Sequence, residues 1–297
     1  MNFQTQFTEY RRQVEEALEG YTASAPSLAQ GEVLDAMRYS LLGGGKRLRA
    51  VLALEFCRIF GGDPMRAMPA ACALEMVHAY SLIHDDLPCM DDDDLRRGKP
   101  SCHKRFGEAL AVLAGDGLLT LAFETLSCPE TIRTMGADRA LGCIGTLARN
   151  AGEYGMLGGQ VIDVQNEGRS LTPEVHAEMV RMKTGALVCA ATQCGCIAAG
   201  AGEIHTALAL SYAQKIGEAF QITDDLLDVI GDAALLGKSI GTDARDHKNT
   251  YVTLLGQERA AAQAAELFAQ TAELILQITD DGSFLRGLTE LLAGRKS

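Results

Sequence analysis

Proline is scarce, with only 7 in 297 residues, and no run of β-branched or aromatic residues stands where a strand would need one. Ala, Leu and Met fill the space instead, so composition predicts helix almost throughout. No linker, repeat or second composition regime interrupts residues 1–297, which therefore read as one all-α domain, long enough to bury a sizeable core. The nine cysteines contain no C-x-x-C pair, and Cys194 and Cys196 flank a single glycine, which is not structural-zinc spacing. Most sit among small apolar residues, where a thiol behaves as a small hydrophobe. Their odd count and the lack of a signal segment lead to the expectation of a reducing cytoplasm. No stretch of 18 apolar residues occurs. The nearest, Ala186 to Gly202, is broken by Thr192 and Gln193 and reads as a buried small-residue helix, so a soluble protein with no membrane span is expected. A basic excess is absent too. The net charge of −12 argues against nucleic acid and anionic membranes as partners, and an anionic substrate would need clustered Lys, Arg or metal ions.

What the chain does have is acid in one place. From His84 to Lys99 it reads His-Asp-Asp-Leu-Pro-Cys-Met-Asp-Asp-Asp-Asp-Leu-Arg-Arg-Gly-Lys, six carboxylates within ten residues. An isolated acidic run is usually a solvated loop. This one emerges from an apolar helical pattern (Ala73, Leu74, Met76, Val77, Leu82, Ile83) predicted over Ala67 to Asp86 and ended by Pro88. Carboxylates at a helix C-terminus oppose the macrodipole by roughly 0.3–1 kcal/mol each, and a bound cation reverses that sign. Counting from Asp85, Asp86, Asp91 or Asp92, the twelfth residue is Arg96, Arg97, Cys102 or His103, never the Glu of an EF-hand. Magnesium, which takes few carboxylates and completes its shell with water and phosphate oxygens, fits better.

About 140 residues downstream comes Gln-Ile-Thr-Asp-Asp-Leu-Leu-Asp-Val, with Gln221, Asp224 and Asp228 at i, i+3 and i+7 on one helix face. Leu226, Leu227 and Val229 take other faces, so the helix is largely buried and its carboxylates need partners. Two acidic clusters on apolar helices read as two walls of one metal site.

Three weaker signals accompany them. Gly43 to Arg49 fails both the Walker and the dinucleotide patterns, but presents Lys46, Arg47 and Arg49 on a glycine-rich backbone. It is either a phosphate cradle or a helix C-cap with dipole-matching cations. Gly158-Gly159-Gln160 allows close helix approach, with Asp163 one turn on. Lys183-Thr184-Gly185 follows a Thr172-Pro173 helix start, and taken alone Lys183 is a surface lysine. The polar segment Gly231 to Asn249, with Lys238, is long enough to act as a lid.

In this order the pieces resemble the trans (E-type) short-chain isoprenyl diphosphate synthases, most closely their farnesyl-forming bacterial members. The matching residues are Gly44 to Arg49, His84 to Lys99, Gly158-Gly159-Gln160 with Asp163, Lys183-Thr184-Gly185, and Gln221 to Asp228 with Lys238, spanning roughly residues 32 to 255. The resemblance implies a helical bundle around a deep central cavity, a homodimer, and three Mg²⁺ ions held between the acidic clusters. It implies that isopentenyl diphosphate is added to dimethylallyl or geranyl diphosphate. By the same resemblance Asp85, Asp91 and Asp224 are direct metal ligands, and Asp86, Asp225 and Asp228 are ligands or orient bound water. Arg96, Lys183 and Lys238 match positions that hold the allylic diphosphate. Lys46, Arg49, His78 and Arg97 match those that hold isopentenyl diphosphate. Thr184 and Gln221, with Lys183 and Asp225, belong to the reaction centre. Tyr80 and Ser81, just before the first aspartate, set the cavity floor, and a bulky Tyr80 implies a C15 product. A geranylgeranyl-forming enzyme, a terpene cyclase and a catalytically silent subunit stay open as alternatives.

Overall fold

A computed structural model of the chain describes residues 2–23, 30–230 and 249–294. In order, these form α1 (Phe3–Tyr21), α2 (Gly31–Leu41), α3 (Leu48–Ile59) and α4 (Pro64–Asp85). A hairpin of β1 (Leu95–Arg96) and β2 (Lys99–Pro100) follows, then α5 (Cys102–Phe106), α6 (Glu108–Ser127), α7 (Pro129–Met135) and α8 (Ala137–Ala151). The remainder is α9 (Met156–Gln165), α10 (Pro173–Val180), a π-helical turn (Arg181–Gly185), α11 (Ala186–Ala199) and α12 (Glu203–Ile230), with α13 (Tyr251–Leu255), α14 (Gln257–Ile278) and α15 (Ser283–Ala293). The all-α expectation holds, the two-residue strands being the exception among the described residues.

The helices gather into two compact units. The first comprises Phe7–Thr146 and Cys194–Gly200. At its centre α4 packs against α3 and α6. Ala70, Ala71, Cys72 and Ala73 are buried in succession, so α4 is apolar on every side rather than along one stripe. Asp63 caps its start by accepting from the Met65 amide at 3.0 Å. Its last helical residue is Asp85, as Pro88 dictates, and the Asp91 amide folds back to donate to the Asp85 carbonyl at 2.8 Å. Two charged residues are locked inside. Glu55 accepts from Arg58 at 2.7 and 3.0 Å and from the Tyr10 hydroxyl at 3.1 Å. Glu75 accepts from the Ala50 amide at 3.2 Å and from Arg47 at 3.4 Å, which places a carboxylate at the N-terminus of α3.

The second unit comprises Met1–Gln6, Leu147–Gln193 and Ala201–Ser297. Its spine is α12, packed along α14, with the π-helical turn, α13 and α15 also against it. Leu171, Met179, Val180, Ile222 and Tyr251 form its core with Ala260 and Ala264. Thr172 caps α10 as its Thr-Pro start requires.

The most apolar helix differs from expectation. Among the described residues it is α6, not Ala186–Gly202, that is long and apolar enough to cross a membrane by length and composition. Its Leu113 is 54% exposed, while its opposite face packs on α4 and α2.

Candidate active site

In the first unit the acidic run is a tight, partly neutralised loop. Arg96 Nε donates to Asp86 Oδ1 at 2.9 Å, and its Nη2 donates to Asp93 Oδ2 at 3.0 Å. Burial pushes the Asp86 carboxyl above its usual range, with Arg96 pulling the other way. Lys104 pairs with Asp94 at 2.7 Å and holds that carboxyl low. Asp85 and Asp91 stand half-buried at the end of α4. Asp92, Arg97 and Arg47 hold positive φ, unusual for non-glycine residues. At Arg97 the cause is the hairpin, in which Arg97 (φ 55) and Gly98 (φ 73) make the two-residue loop joining β1 to β2. Such backbone strain is characteristic of sites where a side chain must be aimed.

The hairpin delivers Arg97 to the glycine loop. Its Nη1 donates to the Gly44 carbonyl, and a Cβ on Gly45 would lie 3.0 Å from the guanidinium. Arg11 donates to the Gly45 carbonyl at 3.1 Å. Around this loop lies an excess of positive charge. Burial pushes Arg49 below the usual arginine range, and neighbouring Arg97 adds to the effect against the pull of Glu75. Partial burial and then Arg47 and Arg96 lower Arg97. His78 falls well below the ordinary histidine value through burial and then Arg49 and Arg97. The Nε of Arg49 is buried without a hydrogen-bond partner among the described residues. Three basic groups whose pKa values are pushed down by burial and by one another, with a buried Arg49 donor among them, form a cluster suited to an anion.

Arg47 is the corrected member of the glycine loop. Its guanidinium does not join Lys46 and Arg49 but turns inward, 3% exposed, to Glu15 at 2.7 Å, Glu75 at 3.4 Å and the Leu41 carbonyl at 2.6 Å. Lys46 is exposed. Ser81 donates its hydroxyl to the His78 carbonyl at 3.0 Å, and half-buried Tyr80 lies one helical position before it.

In the second unit Lys183 and Thr184 sit in the π-helical turn, a widened turn frequent at functional sites. Gly159 lets α9 approach it, since a Cβ there would stand 2.2 Å from the Lys183 amide nitrogen. Lys183 Nζ thereby reaches Asp163 at 2.6 Å and is no surface lysine. Thr184 Oγ1 donates to Gln221 Oε1 at 2.9 Å, Gln221 Nε2 donates to Asp225 Oδ1 at 2.8 Å, and the Tyr251 amide donates to Asp225 Oδ2 at 2.8 Å. Asp225 is thus buried and bonded at both oxygens, at the N-terminus of α13. Asp228 is buried, and Asp224 is half-buried. Asn249 brings the chain into α13 by accepting from the Leu171 amide at 3.0 Å and donating to the Arg169 carbonyl at 2.8 Å. Lys238 and all of the expected lid, 231–249, except Asn249 lie outside the described residues, as does the basic ending Arg295-Lys296.

Sequence reading missed the partners more than the residues. Asp163 and Asp93 pair with Lys183 and Arg96, and Glu15 and Glu75 with Arg47. Of these only Asp163 had a local signal, the glycine pair before it. Among the described residues no three Asp, Glu, His or Cys side chains converge into a ready-made metal cage. In the first unit Asp85 and Asp91 offer hard oxygen donors, and Arg96 already bridges Asp86 and Asp93 as a cation among acids; in the second, Asp224 and Asp228 offer the same. Carboxylates of this kind suit Mg²⁺, which is bound by one or two of them together with substrate phosphates.

The first unit thus holds a basic cluster beside an acid-rich helix end, and the second unit a further acid-rich helix, residue types that suit diphosphate and divalent metal. The polyprenyl synthetase family profile matches residues 30–280. A farnesyl diphosphate synthase of Escherichia coli K12 is 42% identical, over 99% of both chains. A geranylgeranyl diphosphate synthase of Cyanophora paradoxa is 43% identical, over 89% of this chain and 88% of that one. The crystal structure of an FPP/GFPP synthase from Zymomonas mobilis superposes with a TM-score of 0.86 at 35% identity, covering 98% of each chain. The chain belongs to the polyprenyl synthetase family and is a short-chain prenyltransferase. Farnesyl- and geranylgeranyl-forming relatives stand at similar identity, 42% and 43%, so overall similarity does not choose a product length.

Proposed function

We propose that the protein joins isopentenyl diphosphate to dimethylallyl and then geranyl diphosphate, and stops at (2E,6E)-farnesyl diphosphate. The observation that carries the reading is the cluster of Arg49, His78 and Arg97, with the buried Arg49 Nε among them, which suits the isopentenyl diphosphate with help from Lys46. Arg96 and Lys183, each steered by a carboxylate, serve the allylic diphosphate. Mg²⁺ would be held by Asp85, Asp91, Asp224 and Asp228, with Asp86 orienting Arg96, and the chemistry it supplies is neutralisation of charge on the departing diphosphate. The allylic C–O bond breaks, and diphosphate leaves with the electron pair. The alkene of isopentenyl diphosphate then forms the new carbon–carbon bond at the allylic cation. Loss of a proton, for which the released diphosphate is base enough, restores the alkene. Thr184 and Gln221, fixed to one another, place a hydroxyl oxygen and an amide dipole beside that cation. Tyr80 closes the floor at C15.

Nine cysteines, none of them in a disulfide, fit a reducing, cytoplasmic setting. The exposed apolar residues Val112 and Leu113 of α6 and Leu141 of α8 fit a homodimer face. Incubation with isopentenyl and dimethylallyl diphosphates should yield farnesol after dephosphorylation, with Mg²⁺ but not with EDTA. Geranylgeraniol would keep the chemistry and remove the Tyr80 floor, and no elongation would remove the synthase reading.

The basic pocket makes a further prediction. A bound anion should raise the depressed His78, so binding inorganic pyrophosphate near pH 6 is expected to take up protons. His78 ring resonances should titrate well below 6.5 in the free protein and move upward when pyrophosphate binds. A titration indifferent to pyrophosphate would place the anion elsewhere.

A further inference from the structure

Tyr80 is braced from behind. His84, one turn further along α4, meets it edge to face, with ring centroids 5.7 Å apart and planes at 74°. The His84 Nε2 lies 3.1 Å from the Val112 carbonyl oxygen on α6. A carbonyl only accepts, so Nε2 carries the hydrogen and donates it. The imidazole also occupies a notch in α6 that glycine alone provides. A Cβ on Gly115 would lie 2.1 Å from Nε2, 2.5 Å from Cδ2 and 2.8 Å from Cε1. The ring is therefore keyed into α6 on one side and set against Tyr80 on the other.

A cavity floor has to resist the tail that grows against it. A tyrosine on a helix has rotamers to escape into, and a floor that can turn aside admits another five carbons. We propose that His84 and Gly115 together are positioning residues for Tyr80, and so determine product length. This rests on the reading of Tyr80 as the floor. The position of His84, directly before Asp85, would otherwise suggest a metal ligand. Its Nε2, the atom a metal would take at that edge of the ring, is committed to the Val112 carbonyl instead.

The test is the ratio of C20 to C15 product by mass spectrometry, with the rate of the first condensation measured alongside. The enzymes compared are wild type, Tyr80→Ala, His84→Ala, Gly115→Ala and the double variant His84→Ala/Gly115→Ala. Tyr80→Ala should move product toward C20. His84→Ala should raise the ratio about 3–10-fold, the worth of an aromatic edge contact, with the first-condensation rate kept within about twofold. Gly115→Ala, which expels the imidazole from its notch, should raise it as well. That variant reads the same contact from another helix, should His84→Ala not fold. In the double variant Gly115→Ala should add nothing, because it acts only through the ring. An unchanged ratio in His84→Ala beside a shifted one in Tyr80→Ala overturns the positioning role and spares the floor. An unchanged ratio in Tyr80→Ala overturns the floor itself. Additive shifts from His84→Ala and Gly115→Ala overturn the coupling, and a slowed first condensation with an unchanged ratio assigns His84 to Asp85 instead.

Discussion

Exchanging Asp224 for asparagine is expected to cut kcat about 10²–10³-fold, whereas Asp225→Asn should act mainly on stability. The two aspartates are adjacent in sequence, and helical periodicity cannot rank them. Their surroundings can. Asp225 is 4% exposed, and both its oxygens are engaged, one by Gln221 Nε2 and one by the Tyr251 amide, each at 2.8 Å. Asparagine offers one oxygen where two N–H donors converge, so one donor would face the new NH₂ group. The cost of a buried donor left without an acceptor is about 1–3 kcal/mol. Loss of the negative charge at the N-terminus of α13 adds to it. Asp224 is half-buried on the same helix, and its replacement removes a hard oxygen donor of the kind a divalent metal takes. Thermal melts with steady-state kinetics over a Mg²⁺ series separate the two cases. Equal activity losses with unaltered melting in both variants would make Asp225 a ligand too.

How much of this was legible in sequence depends on how local each cause is. Helix ends set by one residue were readable: Pro88 after α4 and Thr172-Pro173 before α10 agree with the structure. The acid-rich stretches and Lys183 were found because residue type and order are themselves sequence. Features made by a fold-back were not. The segment of α3 is buried at successive positions, Ala50 to Cys57, so it shows no apolar stripe to count. The hairpin turns on Arg97 and Gly98, a two-residue loop with positive φ at both positions, and only the folded chain shows that it carries Arg97 to the Gly44 carbonyl. The π-helical turn adds a residue to a coil that reads as ordinary helix, and so re-aims Lys183 toward Asp163, 20 positions away. Gln221 was placed with Asp224 and Asp228 by spacing, yet it bonds Asp225, its i+4 neighbour. Spacing gives the face of a helix; the opposing chain decides which neighbour on it is used.

Arg47 shows the same lesson with the largest expected cost. In sequence it stands between two phosphate-binding candidates. In the fold it is the sole link joining Glu15, Glu75 and the Leu41 carbonyl among the contacts of the described residues. Burial works against its charge, yet the two carboxylates hold its pKa above the usual arginine value. Arg47→Met should therefore cost about 3–5 kcal/mol, because Glu75, 3% exposed, would keep its charge and lose its cation. The pair itself need not be net stabilising; the penalty comes from breaking one half of it. Joint replacement, Arg47→Met with Glu75→Gln, should accordingly recover part of the loss, since a neutral amide can still accept from the Ala50 amide at the start of α3. Lys46→Met provides the contrast: Lys46 is exposed, so its variant should melt like wild type and show only a raised KM for isopentenyl diphosphate. Denaturant midpoints and KM values for the three variants decide the matter. An Arg47→Met protein of unaltered stability with a raised KM would return Arg47 to the phosphate-binding set.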